Sequence, residues 1–462
     1  MKKIFSLSVI LLATAILTAQ EKEKPPIGET PKDFILPKKE VLNLENGLSL
    51  VMIPYGNIPK ATITVDIKSG NIHETKDQVG LSNLMGDLLK EGSTTKDSKQ
   101  IANQMAEMGG NLSISVRQHN TTVSASVLYE FAPDALKLIG DILKNPRWPE
   151  TDLERLKNDM KRNLAVSLSR PQTQARKDFF GKLYPDHPYG RTHSSDEMID
   201  AFTLDNIKNF YNSNYGAQRT IVYIAGKFNT NAVKEVVQNI FTDWQKGPEP
   251  YYPVAKATST TLTQIIDRPD APQSTIYYGL PVIDPSHPDF IALQVTNSLL
   301  GGSFGSRITS NIREDKGYTY SPRSSVISNY KSGVWIESAD VTTKHTGASI
   351  KEIKNEIVKL QNELPTEEEL QGIKNYESGI FVLRNSTPGG IINQLSFIDR
   401  HNLDESYLKD RVKNIQNITP EKVKETTKKY IDPNKMTLVI VGDKKKVQQQ
   451  VTEIIEKESL KQ

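Results

Sequence analysis

The sequence predicts an α+β fold made of two copies of one domain, each of roughly 200 residues, within the usual domain size range. Stretches such as ATITVDIKSG (61–70) alternate apolar and polar residues as a half-buried strand does, whereas segments such as 132–144 repeat Leu136, Ile139 and Leu143 on one helix face. TLDNIKNFYNSNYGAQRTIVYIAG (203–226) lines up without a gap on TPEKVKETTKKYIDPNKMTLVIVG (419–442). PETDLERLKN (149–158) matches PTEEELQGIKN (365–375) within one residue of slip. Both pairs occur in the same order, which points to duplication.

Taken in order, VLNLENGLSLVMIP (41–54) places two apolar runs around Asn46 and Gly47, a hairpin signal. The alternating strand at 61–67 follows, then helices over 78–91 and 98–108. Leu112, Ile114 and Val116 are answered by Val123, Ala125 and Val127 in a second strand pair with His119 at its tip. Helices at 132–144, 150–168, 173–183 and 203–213, a strand at 221–226 and a helix from 230 complete the first copy. The proline-rich KGPEPYYP (246–253) breaks the chain, and the order of elements then repeats.

Residues 1–20, MKKIFSLSVILLATAILTAQ, have a basic start, an apolar run from Ile4 to Leu17 and small residues at Thr18 and Ala19. This is the pattern of a secretory leader, and export is expected, to a periplasm in preference to the medium. No later segment is apolar enough to span a membrane. The boundaries read as leader 1–20, mobile charged tail 21–38, first domain 39–245, linker 246–260 and second domain 261–457. The absence of cysteine removes disulfides, cysteine–zinc sites and thiol nucleophiles together. With 58 basic against 55 acidic residues there is no basic footprint for nucleic acid.

LLGGSFGSRITSNIREDKGYTY (299–320) is the stretch with most local signal. Gly301 and Gly302 permit backbone angles that other residues resist. SRITSNIRED reads as a helix with Ile308 and Ile312 on one face, Gly317 is a natural C-cap, and YTYSPRSSV reads as a strand. Arg313 at the helix end and Tyr320 on the strand are then placed to face one cavity. Taken alone, the pair also reads as an arginine closing a helix end and a tyrosine packing beside a sheet.

This stretch and GLSNLMGDLLKEGST (80–94) resemble the pitrilysin/insulinase family of zinc metallopeptidases, and the resemblance covers residues 39–457. It implies two α+β domains with mostly antiparallel sheets that enclose a peptide chamber. The family's His-x-x-Glu-His motif falls on residues 83–87. It puts the first ligand histidine at Asn83, the catalytic glutamate at Gly86 and the second ligand histidine at Asp87, so all three are replaced. The third ligand, a glutamate, falls near 157–166, where Asp159 is the only acid. A catalytic zinc needs two imidazoles and a carboxylate with a position left for water. No cofactor is therefore expected on this chain.

The seven histidines (73, 119, 187, 193, 287, 345 and 401) include no two spaced four apart, and no GxSxG occurs. Arg313 and Tyr320, by contrast, match the family's substrate-facing arginine–tyrosine pair, with Tyr318 a nearby alternative and Gly301 and Gly302 as a pliable approach. Some bacterial members of the family work as pairs, one subunit carrying the zinc motif and the other the arginine–tyrosine pair. The resemblance thus implies a non-catalytic subunit, with zinc expected on an HxxEH-bearing partner and peptides as substrates. Two other readings stand beside it: a peptide-binding or scaffold protein with no peptidase role, and a metallopeptidase with an unorthodox metal site around Asp87.

Overall fold

The computed structural model describes residues 34–258 and 261–459. The leader and most of the charged tail lie outside the described residues. The end of that tail does not fit the expectation of a mobile segment. Phe34 meets Phe381 edge to face at 5.0 Å, and Leu36 packs on the same cluster, because two apolar side chains interrupt the charged run.

The first sheet contains β1 (Glu40–Asn43), β2 (Ser49–Pro54), β3 (Lys60–Ile67), β4 (Leu112–Val116), β5 (Thr121–Leu128) and β6 (Thr220–Gly226) in the spatial order β1-β2-β6-β3-β5-β4. Only β2 and β6 run parallel. The β1–β2 hairpin turns at Gly47, whose φ of 95° is left-handed, while Asn46 Nδ2 ties the turn to the carbonyl of Phe241 at 2.6 Å. In the β4–β5 pair Ile114 faces Val123 and Leu112 faces Ala125, but Val116 faces Thr121, and Val127 pairs with Ala61 of β3 instead.

The helices of this half are α1 (Leu81–Leu89), α2 (Ser98–Glu107), α3 (Ala132–Lys144), α4 (Glu150–Leu168), α5 (Pro171–Leu183), α6 (Leu204–Asn214) and α7 (Thr230–Phe241). Most pack their apolar stripes on one face of the sheet, where Leu84, Leu136, Ile139, Ile207 and Val237 join Ile63 and Val65 in the core.

The second sheet repeats the plan. β7 (Thr263–Asp267), β8 (Gln273–Val282), β9 (Arg323–Asn329), β10 (Ser332–Thr342) and β11 (Thr437–Gly442) lie in the order β7-β11-β8-β10-β9, again with one parallel pair, β7 and β11. The order matches β2-β6-β3-β5-β4 strand for strand. Its helices are α8 (Phe290–Asn297), α9 (Thr346–Asn362), α10 (Glu367–Arg384), α11 (Pro388–Arg400), α12 (Pro420–Tyr430) and α13 (Lys444–Ser459). The repeat read from the sequence persists in detail. Thr203 and Thr419 cap α6 and α12 through their side-chain oxygens, and each helix is followed by a short 3-10 turn, Ala217–Arg219 or Pro433–Lys435, before the strand.

The other face of each sheet is covered by a helix from the opposite half. Phe179, Phe180 and Leu183 of α5 pack against Val334, Ile336, Val439 and Val441 of the second sheet. Ile391, Ile392, Leu395 and Ile398 of α11 pack against Val51, Ile53, Tyr223 and Ala225 of the first. Each half thus completes its core with a segment of the other. The described residues form one compact unit, and among them no helix is long and apolar enough to cross a membrane.

Candidate functional site

Helix α1 begins at Gly80, which has a φ of 93°, and its first turn is held by Glu74. That carboxylate accepts from the Gly80 and Ser82 amides at 2.9 and 3.0 Å and from the Ser82 hydroxyl. Burial pushes its pKa up, against the pull of these hydrogen bonds. Asn71 bridges from Glu74 to Asn83 Oδ1, 2.6 Å away. Asn83 and Asp87 then open on a cavity of about 650 Å³, whose far wall includes Asp159, Met160, Asn163 and Leu164 of α4. The degenerate motif and the segment expected to supply a third ligand do meet across one space.

The residues there do not fit a zinc ion. Asp87 is paired with Lys90 at 2.6 Å, and Asp159 is held by Arg155 at 3.5 Å and by Arg162. Asn83 is engaged by Asn71, and among the described residues no three His, Asp or Glu side chains converge to hold a metal. The position of the missing base has also been refilled. A Cβ on Gly86 would lie 2.6 Å from Cγ2 of Val116 on edge strand β4, so the valine occupies the volume that a glutamate side chain needs.

The 299–320 stretch differs in detail from its sequence reading. Ser298–Gly302 and Ser310–Asp315 form two π-helical turns around a short α-turn at Arg307–Thr309. Such turns often sit at functional sites. Gly301 and Gly302 are not in left-handed conformations, so their role is closeness rather than pliability. A Cβ on Gly301 would lie 2.6 Å from Ser324 Oγ and 2.8 Å from Glu337 Oε2, and one on Gly302 would lie 2.5 Å from Asn297 Nδ2. Glu337 is fully buried with neither carboxylate oxygen hydrogen-bonded, and burial holds its pKa well above the usual range.

Gly317 closes the second turn with a φ of 64°, its amide donating to the Arg313 carbonyl at 3.2 Å. Tyr320 is not on the strand, because β9 starts three residues later at Arg323. It is 86% exposed, and Phe304, across the stretch, is 73% exposed. The Arg313 guanidinium stacks on Phe304 at 4.3 Å from the ring centre and lies 3.4 Å from Glu314. Tyr318 is turned the other way and stacks on His345 at 4.3 Å. Neither Arg313 nor Tyr320 lines the cavity at Asn83 and Asp87. Phe304 and Tyr320 are exposed to solvent, and Arg313 is partly so.

Sequence reasoning missed the groups that give the first cavity its charge. Arg176 on α5 and Arg191 beyond it also line that space. No periodicity marks either residue, and only the fold brings them opposite α1. It also missed the gathering of His73, His119 and His401 where the two halves meet. His119 Nε2 lies 2.7 Å from the Tyr189 hydroxyl, and burial lowers His73 and His401 to about 4 and His119 to about 3. These histidines come from distant segments, and no local spacing signals their convergence.

Two family models match this chain. One described as "Insulinase (Peptidase family M16)" covers residues 50–196, and one described as "Peptidase M16 inactive domain" covers residues 201–376. The chain belongs to peptidase family M16. Among M16 relatives it is 23% identical over 376 residues to the uncharacterized zinc protease YmxG of Bacillus subtilis, covering 77% of this chain and 91% of that one. It is also 23% identical over 398 residues to the non-peptidase homolog YmxG of Helicobacter pylori, covering 84% and 90%. The crystal structure of a peptidase M16 inactive domain from Pseudomonas fluorescens superposes with a TM-score of 0.80 at 24% identity, covering 87% of this chain and 98% of that one. That of a protease from Helicobacter pylori superposes at 0.81 and 20%, covering 88% and 100%. These likenesses establish the two-domain M16 fold.

Proposed function

We propose that this M16 chain is the non-catalytic, substrate-positioning subunit of an exported heteromeric zinc metallopeptidase acting on peptides. One contrast carries the reading: the zinc-motif position is refilled by Val116 and by ion-paired acids, while Tyr320 stands exposed seven residues after Arg313, which stacks on Phe304. The likeness to the Helicobacter relative, known as a non-peptidase homolog, supports the first half of it.

In this reading the patch at Phe304, Arg313 and Tyr320 meets peptide held on an HxxEH-bearing partner. A guanidinium offers several donors in fixed geometry to peptide carbonyls. The Tyr320 hydroxyl donates to the carbonyl oxygen as it takes on charge, a role whose loss typically lowers turnover by ~10²–10³. The test is to purify the protein with its native companions and assay peptide cleavage with and without chelator, then repeat with Tyr320→Phe. The chain alone is expected to be inactive and free of stoichiometric zinc. A complex whose activity ignores Tyr320→Phe would remove the role assigned to that residue.

A scaffold role without any peptidase is the second reading. It is favoured by the Arg313 stack on Phe304, which already occupies one face of the guanidinium. Companions that co-purify but cleave nothing would decide for it. Bound transition metal in the isolated chain would instead revive a metal site at Asp87. Export rests on residues 1–20 and is checked by cell fractionation.

A further inference from the structure

We infer that the cavity at Asn83 and Asp87 is an anion site that takes a peptide carboxylate between Arg176 and Arg191. The cavity is the space in which the family motif would have placed its metal, but its unmet groups are now donors. Nε of Arg191 is shut off from solvent and has no hydrogen-bond partner, and the same is true of Nε2 of Gln118. Arg176 lies over the Phe180 ring at 4.7 Å and forms no ion pair among the described residues. The Arg191 Nε and Gln118 Nε2 atoms are closed to a ligand as they are to water, so the groups that meet a ligand's acceptors are the remaining guanidinium nitrogens of Arg191 and those of Arg176, both on the cavity wall.

The carboxylates on the same wall do not cancel these charges. Asp87 is taken by Lys90, and Asp159 by Arg155 and Arg162. Glu74 spends its oxygens on the first turn of α1, and burial disfavours its charge. Burial lowers the pKa of Arg191, and the nearby Glu74 carboxyl opposes that shift only in part. Lys177 and Arg176 lower the pKa of His193 on the cavity wall after burial does, so the field there is positive.

Size and lining select among anions. A free phosphate would fill a small part of about 650 Å³. Val79, Met160 and Leu164 add an apolar surface beside the arginines, suited to a side chain carried next to the carboxylate. That combination describes the C-terminal residue of a peptide better than an inorganic ion. The peptide part rests on the proposed function, whereas the anion part stands on the cavity alone.

The test uses the purified full-length chain and calorimetric titration with two short peptides of one sequence ending in leucine, one a free acid and one an amide. Inorganic phosphate is the third titrant. The acid is expected to bind at least about tenfold tighter than the amide, as a charge-assisted contact is lost. Arg176→Gln, at an exposed position, is expected to bring the acid down to the amide's affinity, and Arg191→Gln to do the same with the folded state checked by thermal unfolding. Lys445→Gln, an exposed charge that does not line the cavity, should leave the titration unchanged. Equal binding of acid and amide, no binding of either, or indifference to Arg176→Gln overturns the site. Phosphate that binds as tightly and displaces the acid overturns the peptide assignment. Acid-selective binding by a chain whose complex ignores Tyr320→Phe would keep this site and discard the catalytic role.

Discussion

In the N-terminal half, α1, α4 and the turn after edge strand β4 surround a space of about 650 Å³. In the C-terminal half the equivalent elements α8, α10 and edge strand β9 surround one of about 200 Å³. The repeat aligns Leu153 with Leu370, which puts Asp159, Met160, Asn163 and Ser167 opposite Tyr376, Glu377, Ile380 and Arg384. All eight line their own cavities. The fillings diverge. In the second half Ser298 donates to Glu377, and Ser324 donates to Asn297 at 2.7 Å, so the polar groups satisfy one another. In the first half Arg191 and Gln118 keep donors unmet. Duplication preserved the walls and left the contents free to change.

The sharpest way to break the comparison is to ask whether the halves are separable at all. Phe179 belongs to the first half by sequence but is buried against the second sheet. Phe179→Ala is expected to cost ~3–5 kcal/mol and Leu395→Ala, its reciprocal, ~2–5 kcal/mol, each lowering one shared denaturation midpoint. Two transitions, with only one moved by Phe179→Ala, would show independent halves.

Next in size is the refilled motif. Gly86→Glu drives a side chain into Val116 and is expected to cost ~1–3 kcal/mol, with much of the loss recovered in the double variant with Val116→Ala. If Gly86→Glu is neutral in thermal unfolding, the valine does not block the base position.

Opposite pH slopes follow from the buried titratable groups. His119 has a folded pKa of about 3 against an ordinary 6.5, so the folded state binds fewer protons and stability falls as pH drops below about 6.5. Glu337 has a raised pKa, so the folded state holds its proton longer and stability falls as pH rises above the ordinary 4.5. His119→Gln should flatten the acid limb and Glu337→Gln the other in denaturation measured across pH 4 to 8. Unchanged slopes in both variants would contradict the burial-driven shifts. The smallest effect is expected at the surface patch, where Arg313→Ala removes a stacking contact of ~0.5–1 kcal/mol and should scarcely move the unfolding temperature.

The strands and most helices were legible because alternation and the helical period are local properties of the chain. Glu150–Leu168 falls on the predicted 150–168, and the strand expected at 221–226 begins one residue earlier. The duplication was legible because the capped helix, 3-10 turn and strand survive in both copies. The exchange of α5 and α11 was not. An amphipathic sequence announces that a helix has an apolar face without saying which sheet receives it. The same limit hid Arg176 and Arg191, whose meaning depends on what stands across the cavity. At 299–320 the glycines were read for their torsional freedom, whereas the structure uses their missing side chains to bring a helical turn against Glu337 and Ser324.

The helix exchange also constrains the order in which the molecule matures. When residue 183 leaves the ribosome, α5 carries Phe179 and Phe180 ahead of β8, β10 and β11, the strands that will cover them. The first sheet waits equally for residues 388–400. Vectorial synthesis therefore cannot finish the first half before the second, and the nascent chain stays incomplete until almost all of it has been made. Under the export proposed above, that delay would keep the chain threadable.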